Sequence, residues 1–219
     1  MAILPILTFP DPRLREVSKT VEKVTPEIQK LVDDMLETMN HAKGIGLAAP
    51  QVAQPIRLLV IDIRRPPEPD EEDQELTELE AKVKYPLVLI NPVIIGGEGK
   101  TSYEEGCLSV PGYYEEVQRF NWVQVEALDR NGKKFFVESD GLLAICIQHE
   151  MDHLEGKLFI DRLSFVKSNK IKNKIKKLGY PLKKEREQTK EKSISKTDKK
   201  TNENATSSKK SNSKSKVEV

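Results

Sequence analysis

Apolar residues recur along this chain with two different spacings. Between Thr25 and Gly44 the positions Ile28, Leu31, Val32, Met35, Leu36 and Met39 return every three or four residues, which places them on one face of an α-helix. Thr25 can cap that helix, and Pro26 suits its first position, where the missing amide bond costs nothing. A second helix is predicted over 140–154, where the stretch from Leu142 to Ile147 is apolar all round and demands burial. A third spans 164–178 and stops at Gly179, with Pro181 just beyond. Its Val166, Ile171, Ile175 and Leu178 form an apolar stripe among lysines at 167, 170, 172, 174, 176 and 177.

Short β-type runs fall between the first two helices, at 60–63, 87–90, 122–128 and 135–137, and Asn131-Gly132 marks a hairpin between the last two. The pattern predicts an α+β fold, with mostly antiparallel strands around a buried central helix and an amphipathic C-terminal helix. Residues 66–84 interrupt it. Prolines and eight carboxylates (Glu68, Asp70, Glu71, Glu72, Asp73, Glu75, Glu78, Glu80) mark this stretch as an exposed insertion, to which no role is assigned.

Charge divides the chain in two. The 36 basic and 35 acidic residues nearly cancel, but 18 basic and only 6 acidic side chains lie from Val166 onward, so the body is near −11 and the end near +12. Residues 181–219 hold five hydrophobic residues and no aromatic, too few to offset the entropy of ordering, and are expected to form a disordered tail. Residues 1–180 are then one domain with one core, with 164–178 as its basic helix. Two cysteines are too few for a disulfide-stapled module. The proline-broken N-terminus does not resemble a targeting peptide, and no apolar run is long enough to cross a bilayer. A cytoplasmic protein without membrane contact is expected.

The candidate chemistry lies on the second helix, in His149-Glu150-Met151-Asp152-His153. Two histidines four apart point their rings from one helix face, and a glutamate beside the first can serve as base for a metal-bound water. Catalytic sites commonly need a third protein ligand. Phe159 stands where zinc endopeptidases of one class place a third histidine, and His41 reads as a surface or cap residue. Cys146 lies seven residues from His153, about 10.5 Å along the axis, and suits a packed apolar position better. Cys107, in Glu105-Gly106-Cys107-Leu108-Ser109, sits in a tight segment able to approach a ligand. A third segment, Gly44-Ile45-Gly46-Leu47-Ala48-Ala49-Pro50-Gln51, has small residues but lacks the features of a phosphate-binding loop.

Together GIGLAAPQ, EGCLS and QHEMDHLEG resemble the signatures of the peptide deformylase family. The resemblance implies a metal-dependent hydrolase that removes the N-formyl group from the initiator methionine of newly made polypeptides and releases formate. It implies Cys107, His149 and His153 as metal ligands, Glu150 as general base, and Gln51 with the Leu108 N–H as oxyanion hole. The ion is expected to be Fe(II), with Zn(II), Ni(II) or Co(II) able to substitute. Ile45, Tyr103, Leu142, Ile145 and Cys146 are implied to line the methionine pocket, with peptide backbone along Gly46 and Gly106. Tyr114 replaces an arginine that some members use on substrate, and Glu105 is expected to pair with Arg119. The family is commonly monomeric, and the resemblance favours ribosome docking for 164–178 and the basic tail. Two alternatives stand beside it: a zinc endopeptidase built on the same helix motif, and an RNA- or ribosome-binding protein acting through its basic arm.

Overall fold

The computed structural model describes residues 2–64 and 75–180. The expectations for 65–74 and for the tail at 181–219 lie outside those residues. Strands β1 (Gly46–Ala48), β2 (Leu58–Ile61), β3 (Leu87–Glu98), β6 (Trp122–Leu128) and β7 (Lys134–Ser139) form one antiparallel sheet in that order. Strands β4 (Thr101–Gly106) and β5 (Tyr114–Arg119) form a separate antiparallel pair. Four helices accompany them: α1 (Pro26–His41), the short α2 (Glu78–Lys82), α3 (Gly141–Leu154) and α4 (Phe165–Leu178). The architecture is α+β with antiparallel sheets.

Helices cover both faces of the sheet at the β1–β2–β3 end, and the two-residue period of a strand decides which side chains meet which helix. Leu59, Ile61, Leu87 and Leu89 join Leu143, Ala144, Cys146 and Ile147 of α3 in one apolar cluster. Their neighbours Leu58, Val60, Val88 and Ile90 turn to Val32, Met35 and Met39 of α1. Strands covered on both faces carry unbroken apolar runs rather than alternation. β1 obeys the same rule: Leu47 packs with α1, whereas Ala48 packs with α3. Each of the fully buried leucine, isoleucine, valine and methionine side chains among these contributes about 1.5–3 kcal/mol through removal from water.

Several expectations need correction. Thr25 occupies the cap position of α1 but its side chain makes no capping hydrogen bond. Strand β3 runs eight residues past the expected 87–90, passing Asn91 through register shifts. Strands β1, β4 and β5 are absent from the sequence reading. The hairpin at Asn131-Gly132 forms, but Asp129 shapes it by accepting from the Asn131 and Lys133 N–H groups. On α4, Ile171 and Ile175 are buried with Ser168, while Val166 and Leu178 of the expected stripe are 75% exposed. The exposed insertion fails at Glu80, which is 1% exposed. No described helix is long and apolar enough to cross a membrane.

Candidate active site

The end of β4 and the middle of α3 meet at one point. Cys107 follows directly on β4, in a turn closed by the Val110 N–H donating to the Cys107 carbonyl at 2.9 Å. His149 and His153 lie one turn apart on α3, both buried, with ring centroids 5.2 Å apart. The Cys107 sulfur is 3.3 Å from His153 Nε2, and one donor atom from each of the three residues lies within 4.8 Å of the others. A thiolate and two imidazoles at this spacing fit a divalent transition metal and leave a coordination position for a small molecule.

A buried ion network orients the cluster. Glu105 Oε2 lies 2.8 Å from His149 Nδ1, which directs the other ring nitrogen toward Cys107. Arg119 grips Glu105 with two hydrogen bonds, at 2.6 and 2.8 Å, and reaches Asp152 of α3 at 2.6 Å. Arg162 closes the other side of Asp152. Burial pushes the Glu105 carboxyl up, but Arg119 and His149 outweigh it and hold the group below its ordinary value. Asp152 is likewise held down, with burial opposed by Arg162 and Arg119. Burial, then the neighbouring His149, keeps His153 well below an ordinary histidine.

Glu150 differs from these carboxylates because it has no cationic partner. Its Oε2 is buried without a hydrogen bond, and burial raises its pKa to about 7. It lies against β1: a β-carbon at Gly46 would stand 2.6 Å from Glu150 Oε1 and 2.8 Å from the Cys146 sulfur, so only glycine permits this approach. Gln51, 1% exposed, is fixed at both ends of its amide. Its Oε1 accepts the Ala48 N–H at 2.8 Å, and its Nε2 donates to Ser109 Oγ at 3.1 Å with the Cys107 sulfur 3.8 Å away. Leu108 is half-buried beside Cys107 and touches the position of Gly44.

The remaining expected residues divide into two groups. Ile45, Leu142 and Cys146 share the apolar cluster beneath α3, and the Cys146 sulfur is 3.8 Å from the Ile45 carbonyl. Ile145 is buried one position away. Gly106 lies on β4 under the Tyr114 ring, which leaves no room for a β-carbon. Tyr103, on β4 opposite Val117 of β5, is 43% exposed. His41 is exposed at the end of α1. The sequence reading missed Asp152, Arg162 and Ser109; Asp152 stands three residues after His149, the spacing of a shared helix face. Phe159, 1% exposed, stacks on the His149 ring at 6.2 Å. Phe159 offers no donor, and among the described residues the group that could hold a metal is Cys107, His149 and His153, which leaves the zinc-endopeptidase reading without its third histidine.

Comparisons agree with this geometry. The family model described as polypeptide deformylase matches residues 3–169. The peptide deformylase of Saccharophagus degradans is 52% identical over 178 residues, covering 81% of this chain and 94% of its own length. That of Neisseria gonorrhoeae is 52% identical over 177 residues, covering 81% and 96%. A crystal structure of a peptide deformylase from Legionella pneumophila superposes with a TM-score of 0.69 at 45% identity, over 80% of this chain and 95% of that one. The Ehrlichia chaffeensis peptide deformylase in complex with actinonin gives 0.70 at 42%, over 81% and 98%. Three motifs whose residues converge in space, carried on a fold shared almost end to end with these proteins, place the chain in the peptide deformylase family.

Proposed function

We propose that this enzyme hydrolyses the N-formyl group of the methionine that begins newly made polypeptides, releasing formate and a free amino terminus. The carrying observation is the cluster of Cys107, His149 and His153 with the unbonded carboxyl oxygen of Glu150 on the same helix. The family resemblance favours Fe(II) in that cluster, with Zn(II), Ni(II) or Co(II) able to replace it. When bound, the ion supplies the Lewis acidity that makes water a nucleophile near neutral pH.

Glu150 takes the proton of the attacking water as its oxygen adds to the formyl carbon, then returns a proton to the departing amine. Negative charge grows on the formyl oxygen in that step, and the Gln51 amide and the Leu108 N–H are assigned to stabilise it. Ser109 and the Ala48 N–H keep the Gln51 amide from turning away. Ile45, Tyr103, Leu142, Ile145 and Cys146 take the methionine side chain, and the peptide backbone runs along Gly46 and Gly106. Arg119, through Glu105, keeps His149 in the tautomer that ligates. Incubation of Fe(II)- or Ni(II)-loaded protein with N-formyl-Met-Ala-Ser is expected to yield one formate per peptide cleaved; no formate release refutes the reading.

We also propose that α4 and residues 181–219 contact the ribosome. Support comes from α4, which buries Ser168, Ile171 and Ile175 and leaves Lys170, Lys176 and Lys177 exposed beside them. Co-sedimentation with ribosomes is expected to weaken as salt rises and to weaken further when 181–219 are deleted. Binding that is independent of salt, or unchanged by the deletion, removes the role of the lysines.

A further inference from the structure

Helix α3 begins without a side-chain cap from its own flank: the Asp140 carbonyl accepts the Ala144 N–H at 3.1 Å, but its carboxylate accepts none of the helix amides. The acceptor comes instead from Glu80 on α2, 63 residues earlier in the chain. Glu80 Oε1 accepts the Leu143 N–H at 2.9 Å, and Oε2 accepts the Thr77 N–H at 2.9 Å. Thr77 Oγ1 in turn accepts the Glu80 N–H at 3.1 Å and donates to Asp140. The carboxylate is thereby bonded on both oxygens while 1% exposed. Gly141 admits it: φ there is +57°, and a β-carbon would stand 2.7 Å from Glu80 Oε1.

Residues flanking this contact pack with side chains assigned to the substrate pocket of the proposed function. Leu76 and Val83, on either side of α2, pack on the same apolar cluster as Ile45, Leu142 and Cys146. Tyr85 follows in that cluster, its hydroxyl buried without a partner and its acidity suppressed, first by burial and then by the nearby Glu80. Leu142 immediately precedes the bonded amide, and Ile145 and Cys146 lie in the next turn. The metal-ligand end of α3 is held separately, by Glu105 and Arg119. A loosened first turn therefore disturbs the pocket before it disturbs the ligands.

We infer that Glu80 is a positioning residue for the substrate pocket: it holds the first turn of α3 so that Leu142, Ile145 and Cys146 face Ile45 at a fixed distance. This rests on the deformylase reading, and it gives the end of the acidic insertion a part in gripping the methionine side chain. Glu80→Ala removes the acceptor, whereas Glu80→Gln keeps a carbonyl oxygen that can take the Leu143 N–H.

Kinetics with N-formyl-Met-Ala-Ser on the metal-loaded full chain test it. Glu80→Ala is expected to raise KM about tenfold with kcat within about twofold, the pattern of lost uniform binding. Its preference for N-formyl-Met-Ala-Ser over N-formyl-Ala-Ala-Ser falls, and amides 142–146 exchange hydrogen about tenfold faster. Glu80→Gln stays within about twofold of the wild type on every measure. Thr77→Val, which removes the cap of α2 and the bond to Asp140 but keeps the Glu80 carboxylate, shifts KM the same way by about threefold and serves if Glu80→Ala does not fold. An unmoved KM in folded Glu80→Ala, equal losses in the Ala and Gln variants, or a fall in kcat alone overturns the inference. Formate release by the wild type with KM unmoved overturns this inference alone; no formate release by the wild type overturns the deformylase reading beneath it.

Discussion

Replacing Glu150 by glutamine is expected to lower kcat for N-formyl-Met-Ala-Ser about 100- to 10,000-fold while the protein keeps its metal. Glutamine has nearly the same shape, so the contact with Gly46 and the packing of α3 are retained. What it lacks is a basic oxygen. The Glu150 carboxyl, buried without a cation and shifted to about 7, can both accept and return a proton near neutrality, which an amide cannot do. KM should move little, because the change touches proton transfer rather than the grip on methionine. Formate release measured beside metal content separates the outcomes. A metal-loaded Glu150→Gln protein with kcat within tenfold of the wild type would mean that the base is another group.

The second large effect belongs to Arg119. Changing it to methionine leaves Glu105 and Asp152 buried without their shared cation, and breaking a buried pair in this way costs about 3–5 kcal/mol. Asp152 keeps Arg162, so the heavier loss falls on Glu105 and through it on His149. Metal affinity should consequently drop about 10- to 100-fold, the usual result of losing a group that orients a ligand. Urea unfolding and competitive metal titration measure the two effects. The exposed pair of Arg130 with Asp33 provides a contrast, since its side chains are 45% and 39% exposed and such pairs contribute about 0–1 kcal/mol. If Arg119→Met unfolds no more easily than Arg130→Ala, the network does not hold the site together.

Helices α1, α3 and α4 are legible in the sequence because their apolar spacing repeats over several turns, and because Gly179 and Pro181 end the last one. Strand β3 is cut short in the sequence reading by Asn91-Pro92 and Gly96-Gly97, which read as punctuation; the strand absorbs them as irregularities in its register with β6. Strands β4 and β5 hide for a different reason. Their inward positions include Glu105 and Arg119, charged residues buried because they pair with each other and with His149 and Asp152 of α3. A pattern of hydrophobic positions cannot register a core contact made of opposite charges. Glu80 escapes likewise, as one carboxylate in an acidic run whose burial depends on a helix start 63 residues away.

The cluster of Cys107, His149 and His153 is legible through two of the motifs, EGCLS and QHEMDHLEG. Their orienting groups are less so: the pairing of Glu105 with Arg119 follows from the family resemblance, while the hold of Arg162 on Asp152 requires the fold. Val166 and Leu178 show the opposite error. Helical spacing places them on the stripe of α4, yet they fall at its ends, beyond the reach of the surface that covers Ile171 and Ile175.

Cys107 and His153 are 46 residues apart in the chain, and the β5, β6 and β7 strands lie between them. The donor cluster therefore cannot form by local closure; it comes together only when the β4–β5 pair has docked on α3, a step of high sequence separation and correspondingly slow. His149 and His153 are already paired on one helix, so what the finished structure adds is the third donor, and an ion held by all three stabilises the completed chain by as much as it binds that chain more tightly than the earlier states. In a refolding experiment on the metal-loaded protein, the thiolate's charge-transfer band is therefore expected to report the arrival of Cys107 at the histidine pair, a contact across 46 residues of chain.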